Sequence, residues 1–121
     1  QVTLMSQPIL FGIPNCDTVR KARKWLDDQG QAHEFIDLRA DTPSTQKITE
    51  WLAVVGPDRL INRRSTTFKQ LSQGDKAALE DDGAVSVLQA QPTLIKRPVL
   101  EWNNTVSVGF KVEEYAQLFD I

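Results

Sequence analysis

Residues 11–21 read Phe11-Gly12-Ile13-Pro14-Asn15-Cys16-Asp17-Thr18-Val19-Arg20-Lys21 and include the only cysteine of the chain. An apolar run precedes that cysteine. A helical repeat follows it, formed by Val19, Ala22 and Leu26 at positions i, i+3 and i+7. Glycine, proline and asparagine mark a sharp loop between the two patterns. We therefore predict a strand over 9–13, a loop, and a helix from about Asp17 to Gln29.

Cys16 is the candidate nucleophile. A cysteine at a helix N-terminus faces backbone N–H groups that lack partners within the helix, and it meets the positive end of the helix dipole. Both favour the thiolate, which is the reactive form of the side chain. A buried structural cysteine is the alternative, because free cysteines are usually buried. Any chemistry of this protein is expected to begin at Cys16.

The composition is that of an ordinary globular protein, with 121 residues, 40% hydrophobic and 25% charged. The length predicts one domain. The net charge of −2 provides no field that would attract nucleic acid or a membrane surface. No run approaches the ~20 apolar residues of a membrane span.

The cysteine count indicates the compartment. One cysteine leaves no internal disulfide and no multi-cysteine metal site, and it fits a reducing environment. The segment Gln1–Gln7 lacks the basic and apolar regions of a signal peptide, and we expect a loose lead-in there. The protein is therefore expected to be cytoplasmic, with no metal and no bound cofactor.

The middle of the chain predicts one more strand and then helices. The strand over 32–38 completes a βαβ unit, whose strands are parallel by the right-handed crossover rule. Thr42 is the candidate N-cap of the next helix, with Pro43 at its first position. Gly56-Pro57 ends that helix. Residues 58–91 show short helical segments and no strand pattern.

The C-terminal part predicts a hairpin and a last helix. The strands over 99–102 and 105–110 are joined by Asn103-Asn104, because asparagine tolerates the positive φ of two-residue turns. Lys111 is a poor N-cap for the final helix. The resulting order is β-α-β-α, short helices, then β-β-α. It predicts an α/β fold with a thioredoxin-like core and an inserted helical subdomain, as one domain over 1–121 with the insertion at about 43–91.

Three segments resemble the arsenate reductase ArsC/Spx/YffB family, in the form found in its YffB-like branch. They are Cys16–Ala22, which fits C-x-T-x-[RK]; Asn62–Phe68, which reads NRRSTTF; and Pro92–Val99, which reads PTLIKRPV. The resemblance covers Ile9 to about Asp120. It implies a thioredoxin-like core with a helical insertion, in agreement with the predicted order of elements.

The resemblance also implies an anion pocket around the thiol. Cys16 would be the nucleophile, and Arg97 would point at it from the residue before an expected cis-Pro98. Arg64 would supply a second guanidinium group, with Arg63 as the alternative. A guanidinium group can donate two N–H groups to one oxyanion or carboxylate, and it lowers the pKa of a neighbouring thiol.

Two further residues flank the candidate nucleophile and are assigned to substrate binding with Arg63 and Pro98. Asn15 would either support the active-site loop or form its turn. Thr18 would use its hydroxyl group either to cap the helix or to donate to the thiolate.

The implied function is that of a glutathione- or glutaredoxin-linked thiol oxidoreductase of the arsenate-reductase-like type. The segment Thr105–Phe110 lacks the further arginine that arsenate reductases carry near this hairpin. The substrate is therefore left open between a small oxyanion and a mixed disulfide. Since the chain has no resolving thiol, glutathione as co-substrate or a glutaredoxin must release the Cys16 adduct. We expect a monomer that binds neither nucleic acid nor membrane.

A non-enzymatic role is the alternative. Spx-type regulators of the same family bind RNA polymerase, and docking of that kind requires no second cysteine. Such regulators commonly carry C-x-x-C, whereas this chain has Val19 at the fourth position.

Overall fold

The computed structural model describes residues 7–121, so the predicted lead-in Gln1–Gln7 lies, except for its last residue, outside the described residues. The described chain contains four strands, seven α-helices and one 3₁₀ turn. In order they are β1 (Ile9–Gly12), α1 (Asp17–Asp28), β2 (Glu34–Asp37), α2 (Thr45–Val55), α3 (Pro57–Leu60), α4 (Thr66–Lys69), α5 (Gln73–Ala78), α6 (Ala84–Ala90), the 3₁₀ turn (Pro92–Leu94), β3 (Val99–Trp102), β4 (Thr105–Val108) and α7 (Val112–Leu118).

These elements fall into two compact units. The sheet unit comprises Gln1–Asp37 and Arg97–Ile121, described from residue 7 onward, and the helical unit comprises Leu38–Lys96. All four strands belong to the first unit, and α2 to α6 belong to the second. The single domain with a helical insertion at about 43–91 stays a prediction. None of the described helices combines the length and apolar character needed to cross a membrane.

The sheet unit has the strand order β2-β1-β3-β4. The β1 and β2 strands are parallel, with Leu10 opposite Phe35, as the predicted βαβ unit requires. The β3 strand is antiparallel to β1, with Leu100 opposite Leu10, and β4 is antiparallel to β3. This mixed sheet with helices is the predicted α/β arrangement.

One hydrophobic cluster of the sheet unit lies on the face of the sheet that carries Leu10 and Leu100. Leu10 and Leu100 supply its floor, and both are buried. Ala22 and Leu26 of α1 and Tyr115 of α7 pack against them, so the two helices cover the same face. The repeat that predicted α1 is therefore its buried stripe. Partly buried apolar side chains surround this core: Trp25, Phe35, Trp102, Phe110, Leu118 and Phe119.

The C-terminal hairpin has the predicted turn. Asn103 and Asn104 both adopt positive φ, at 54° and 62°. Lys111 is the N-cap of α7 and makes no side-chain capping hydrogen bond, as predicted from its type. A hydroxyl group of the hairpin secures the helix instead, because Ser107 Oγ donates to Glu114 Oε1 at 3.1 Å.

The helical unit begins with a correction. Thr42 was predicted as the N-cap of α2 with Pro43 at the first helical position, and this prediction is wrong. The N-cap is Ser44, whose Oγ accepts the Lys47 N–H at 3.1 Å, and the helix begins at Thr45. Serine and threonine are both suitable N-cap residues. In this structure only Ser44 accepts a hydrogen bond from the backbone N–H three residues later, at Lys47.

Two of the three resembling segments meet within the helical unit. Ile61 and Ile95 form a short antiparallel bridge, which is flanked by hydrogen bonds from the Asn62 N–H to Leu94 O and from the Lys96 N–H to Leu60 O, both at 2.7 Å. The Thr67 and Thr93 hydroxyl groups lie 2.9 Å apart and add a side-chain hydrogen bond. The segments around Arg64 and before Arg97 are therefore held together by backbone pairing that the sequence did not reveal.

We predict that Tyr115→Phe stabilises the protein. Tyr115 is fully buried, and its hydroxyl group finds no hydrogen-bond partner among the described residues. Burial, and then the charge of Glu114, raise the pKa of Tyr115, so the group stays neutral. Removing a buried hydroxyl group that lacks a partner should increase the free energy of unfolding by about 1 kcal/mol. Thermal unfolding should show a melting temperature higher by about 4 °C. An unchanged or lower melting temperature would show that the hydroxyl group has a partner.

We also predict that Ser44→Ala destabilises the protein, whereas Thr42→Ala does not. The loss of an N-cap hydroxyl group costs about 1 kcal/mol. Urea unfolding of the two variants tests the corrected helix start. Equal unfolding midpoints for the two alanine variants would contradict it.

Candidate active site

Cys16 occupies the N-cap position of α1, with extended backbone angles (φ −105°, ψ 125°). The loop before it is a tight turn around Pro14 and Asn15, because the Cys16 N–H donates to Ile13 O at 3.3 Å. The Cys16 carbonyl accepts the Arg20 N–H at 2.9 Å and so starts the hydrogen bonding of α1. The thiol is partly exposed. It is thus both fixed by the backbone and accessible to a reactant.

The surroundings of the sulfur favour the thiolate. Burial is the largest single influence and raises the pKa of the Cys16 thiol. The Val19 N–H, the Arg97 side chain and the Thr18 N–H all lower it, and the resulting pKa lies below the ordinary value of 9.0. The Cys16 side chain does not form the side-chain hydrogen bond that a serine or threonine N-cap usually forms. Its charge is stabilised by N–H groups of the first helical turn and by a guanidinium group together.

Arg97 acts on the sulfur from the segment just before β3. Its guanidinium group lowers the pKa of the Cys16 thiol, through hydrogen bonding and through its charge. The following peptide bond, Arg97-Pro98, is cis, as the resemblance implied. Pro98 is buried, and its carbonyl accepts the Gly109 N–H at 2.9 Å. The backbone on both sides of the hairpin therefore holds Arg97 in place.

Two charged side chains of the first turn pair with each other. Arg20 pairs with Asp17, and it also donates to Pro14 O at 3.4 Å. Asn15 and Thr18 are exposed. The Thr18 backbone N–H acts on the sulfur, so the contribution of this residue does not depend on the hydroxyl group that was predicted to cap or donate.

Among residues 7–121, no cluster of three or more His, Cys, Asp or Glu is placed to hold a metal ion.

The two middle arginines differ in their surroundings within the helical unit. Arg63 forms ion pairs with Asp58 at 3.3 Å and with Glu80 at 2.9 Å. Arg64 is exposed, and within the described chain no ion pair holds its guanidinium group. Its backbone N–H donates to Asn62 Oδ1 at 3.1 Å, which shapes the turn before α4. These contacts favour Arg64 over Arg63 as a group available to an anion, and both assignments stay predictions.

Sequence reasoning missed the part played by Val19. The residue was recognised as a member of the apolar stripe, and its side chain is fully buried. The hydrogen bond from its backbone N–H is also the largest single cause that lowers the thiol pKa. A backbone donor carries no residue-type signal. The only available sign was its position three residues after a cysteine N-cap.

Comparisons with protein-family models and with solved structures point to the same family. A family model described as the ArsC family matches residues 11–118. A solved structure named as a YffB protein is 40% identical, with 93% of this chain and 98% of that chain covered and a TM-score of 0.88. An arsenate reductase (ArsC) related protein from Brucella melitensis is 34% identical, with 96% and 97% of the chains covered and a TM-score of 0.73.

Several similar proteins are named as regulators. The global transcriptional regulator Spx of Listeria innocua is 29% identical over 107 residues, which are 87% of this chain and 81% of the regulator. The resemblance found in the sequence is confirmed, and with it the α/β fold class. Since the family model covers nearly the whole sequence, the chain belongs to the ArsC family.

Proposed function

We propose that this protein is a thiol-dependent reductase that acts on mixed disulfides of glutathione, with Cys16 as the nucleophile. One observation carries the proposal: the partly exposed Cys16 sulfur lies at the start of α1 against the Arg97 side chain, and its pKa is lowered. The thiolate is the species that attacks a disulfide sulfur, and a lowered pKa makes more of it available at a given pH. The relative named as arsenate reductase related supports the same kind of chemistry.

The first step is a thiol–disulfide exchange. The Cys16 thiolate attacks the glutathione sulfur of a mixed disulfide, and a Cys16–glutathione S–S bond forms as the substrate S–S bond breaks. The substrate sulfur leaves as a thiolate and takes a proton from water. Arg97 contributes a fixed positive charge beside the sulfurs while negative charge passes between them.

The second step restores the enzyme. Because the chain has no second cysteine, an external glutathione thiolate attacks the glutathione sulfur of the adduct. Glutathione disulfide forms, and Cys16 is released as the thiolate. The net reaction consumes one mixed disulfide and one glutathione, and it yields one substrate thiol and one glutathione disulfide. A glutaredoxin can replace glutathione as the attacking thiol.

Two site assignments, a second substrate class and a non-enzymatic alternative rest on the family resemblance. Arg64 is proposed as a second anion contact, with Arg63 as its substitute, and an oxyanion such as arsenate is the other substrate class. Binding of RNA polymerase, proposed by likeness to the regulator Spx, is the non-enzymatic alternative. A lowered thiol pKa favours the reductase, because docking alone requires no thiolate.

We predict that Cys16→Ser abolishes glutathione-dependent reduction of a glutathionylated peptide. A serine hydroxyl group stays protonated and cannot exchange with a disulfide, so turnover should fall to the uncatalysed rate. Thr49→Val serves as a control, since its hydroxyl group only donates to Thr45 O within α2. An assay with arsenate in place of the peptide separates the two substrate classes. Undiminished turnover by Cys16→Ser would remove the proposed mechanism.

We predict that Arg97→Ala raises the pKa of Cys16, and that Arg97→Lys raises it less. The alanine variant loses both the hydrogen bond and the charge, whereas lysine keeps the charge. At pH 7 alkylation by iodoacetamide should slow several-fold in Arg97→Ala, and the difference should vanish at a pH above the ordinary thiol value. Because the chain has one cysteine, the rate reports Cys16 directly.

Arg23→Ala provides the control for loss of one positive charge from the sheet unit. The Arg23 guanidinium group stacks on the Phe35 ring, with its carbon 4.2 Å from the ring centre. The Arg23→Ala variant should leave the alkylation profile of Cys16 unchanged. An Arg97→Ala profile that matches the wild-type profile would exclude Arg97 from the site.

A further inference from the structure

Gly12, the last residue of β1, lies directly beneath the first turn of α1. A Cβ atom added to Gly12 would come within 2.7 Å of Val19 Cγ2 and 3.0 Å of Val19 Cγ1. Carbon atoms in contact normally lie about 3.5–4.0 Å apart. The helix can therefore approach the strand this closely only because residue 12 has no side chain.

The Val19 side chain cannot move away from an added Cβ without a clash elsewhere. It is fully buried, so its methyl groups are already in contact with other atoms. A valine in a helix strongly prefers one χ1 rotamer, which makes rotation away from an added Cβ costly. A side chain at residue 12 would therefore displace the backbone of α1 at Val19, and not only the valine methyl groups.

That backbone is part of the candidate site. The Val19 N–H and the Thr18 N–H act on the Cys16 sulfur from the same helical turn. Arg97, which precedes β3, is the charged side chain that acts on the sulfur, while Asp17 and Arg20 pair with each other. Movement of the first turn away from β1 would carry the two N–H groups with it.

We propose that Gly12 is a positioning residue for the nucleophile: its missing side chain lets the first turn of α1 rest on the end of β1, with the Val19 N–H directed at the Cys16 sulfur. Its catalytic meaning rests on the proposed function, whereas the placement itself does not. Gly12 acts through α1 and is not itself a reacting group.

The test is the pH dependence of Cys16 alkylation in Gly12→Ala and in the double variant Gly12→Ala/Val19→Ala. The single variant should alkylate several-fold more slowly at pH 7, with its profile shifted towards the ordinary thiol value. The double variant should regain the wild-type profile, because the two methyl carbons that the added Cβ would meet are then absent and the Cβ of residue 19 lies 3.4 Å away. Recovery of this kind would not follow from a general loss of stability.

Gly83→Ala is the matched control. Its added Cβ would meet Ala78 Cβ at 2.8 Å within the helical unit, so it introduces a comparable clash elsewhere. This variant should be destabilised and should keep the wild-type alkylation profile.

The outcomes separate this proposal from the proposed function. A Gly12→Ala protein that is less stable but has an unchanged alkylation profile would overturn the positioning role, and so would a double variant that fails to recover. Should Gly12→Ala not fold, a folded double variant with the wild-type profile supports the proposal, and a double variant that also fails to fold overturns it. Alkylation requires no disulfide substrate, so an inactive wild-type protein would contradict the reductase and leave this test intact.

Discussion

The negative charge of the Cys16 thiolate is the constraint that the sheet unit satisfies. Partial burial works against that charge, and the N–H groups of Val19 and Thr18, with the Arg97 side chain, more than compensate. These donors come from distant parts of the sequence, and the sheet brings them together. The α1 helix is anchored by its buried stripe, whereas Arg97 is placed by β3 and by the hydrogen bond between Gly109 and Pro98.

The order of elements could be predicted because its signals are local. The repeat of Val19, Ala22 and Leu26 defines the buried side of α1, and an asparagine pair allows the positive φ angles of the hairpin turn. The candidate nucleophile was predictable for the same reason, since a helix start can be recognised from neighbouring residues. The position of Arg97 beside it required the family resemblance, because the two residues lie 81 positions apart in the sequence.

Three features could not be predicted from the sequence, because each depends on a contact that the residue types alone do not indicate. Ser44 and Thr42 are equally suitable N-cap residues by type, and in the structure the Ser44 hydroxyl group accepts the Lys47 N–H. Arg63 lies in a basic run that looks solvated, yet it pairs with Glu80, 17 residues further along. The close approach of Gly12 to Val19 has no signature at all, since a glycine before a proline-containing loop is already explained by the loop.

The lowered pKa of Cys16 also links folding to proton binding. The unfolded chain holds the thiol proton up to about the ordinary value of 9.0, whereas the folded chain releases it at a lower pH. The thiolate therefore contributes to the free energy of unfolding in full above the unfolded value, and the contribution is lost as the pH falls through the folded value. A bulky adduct that neutralises the sulfur removes the same contribution, so the modified protein should be the less stable form in alkaline solution.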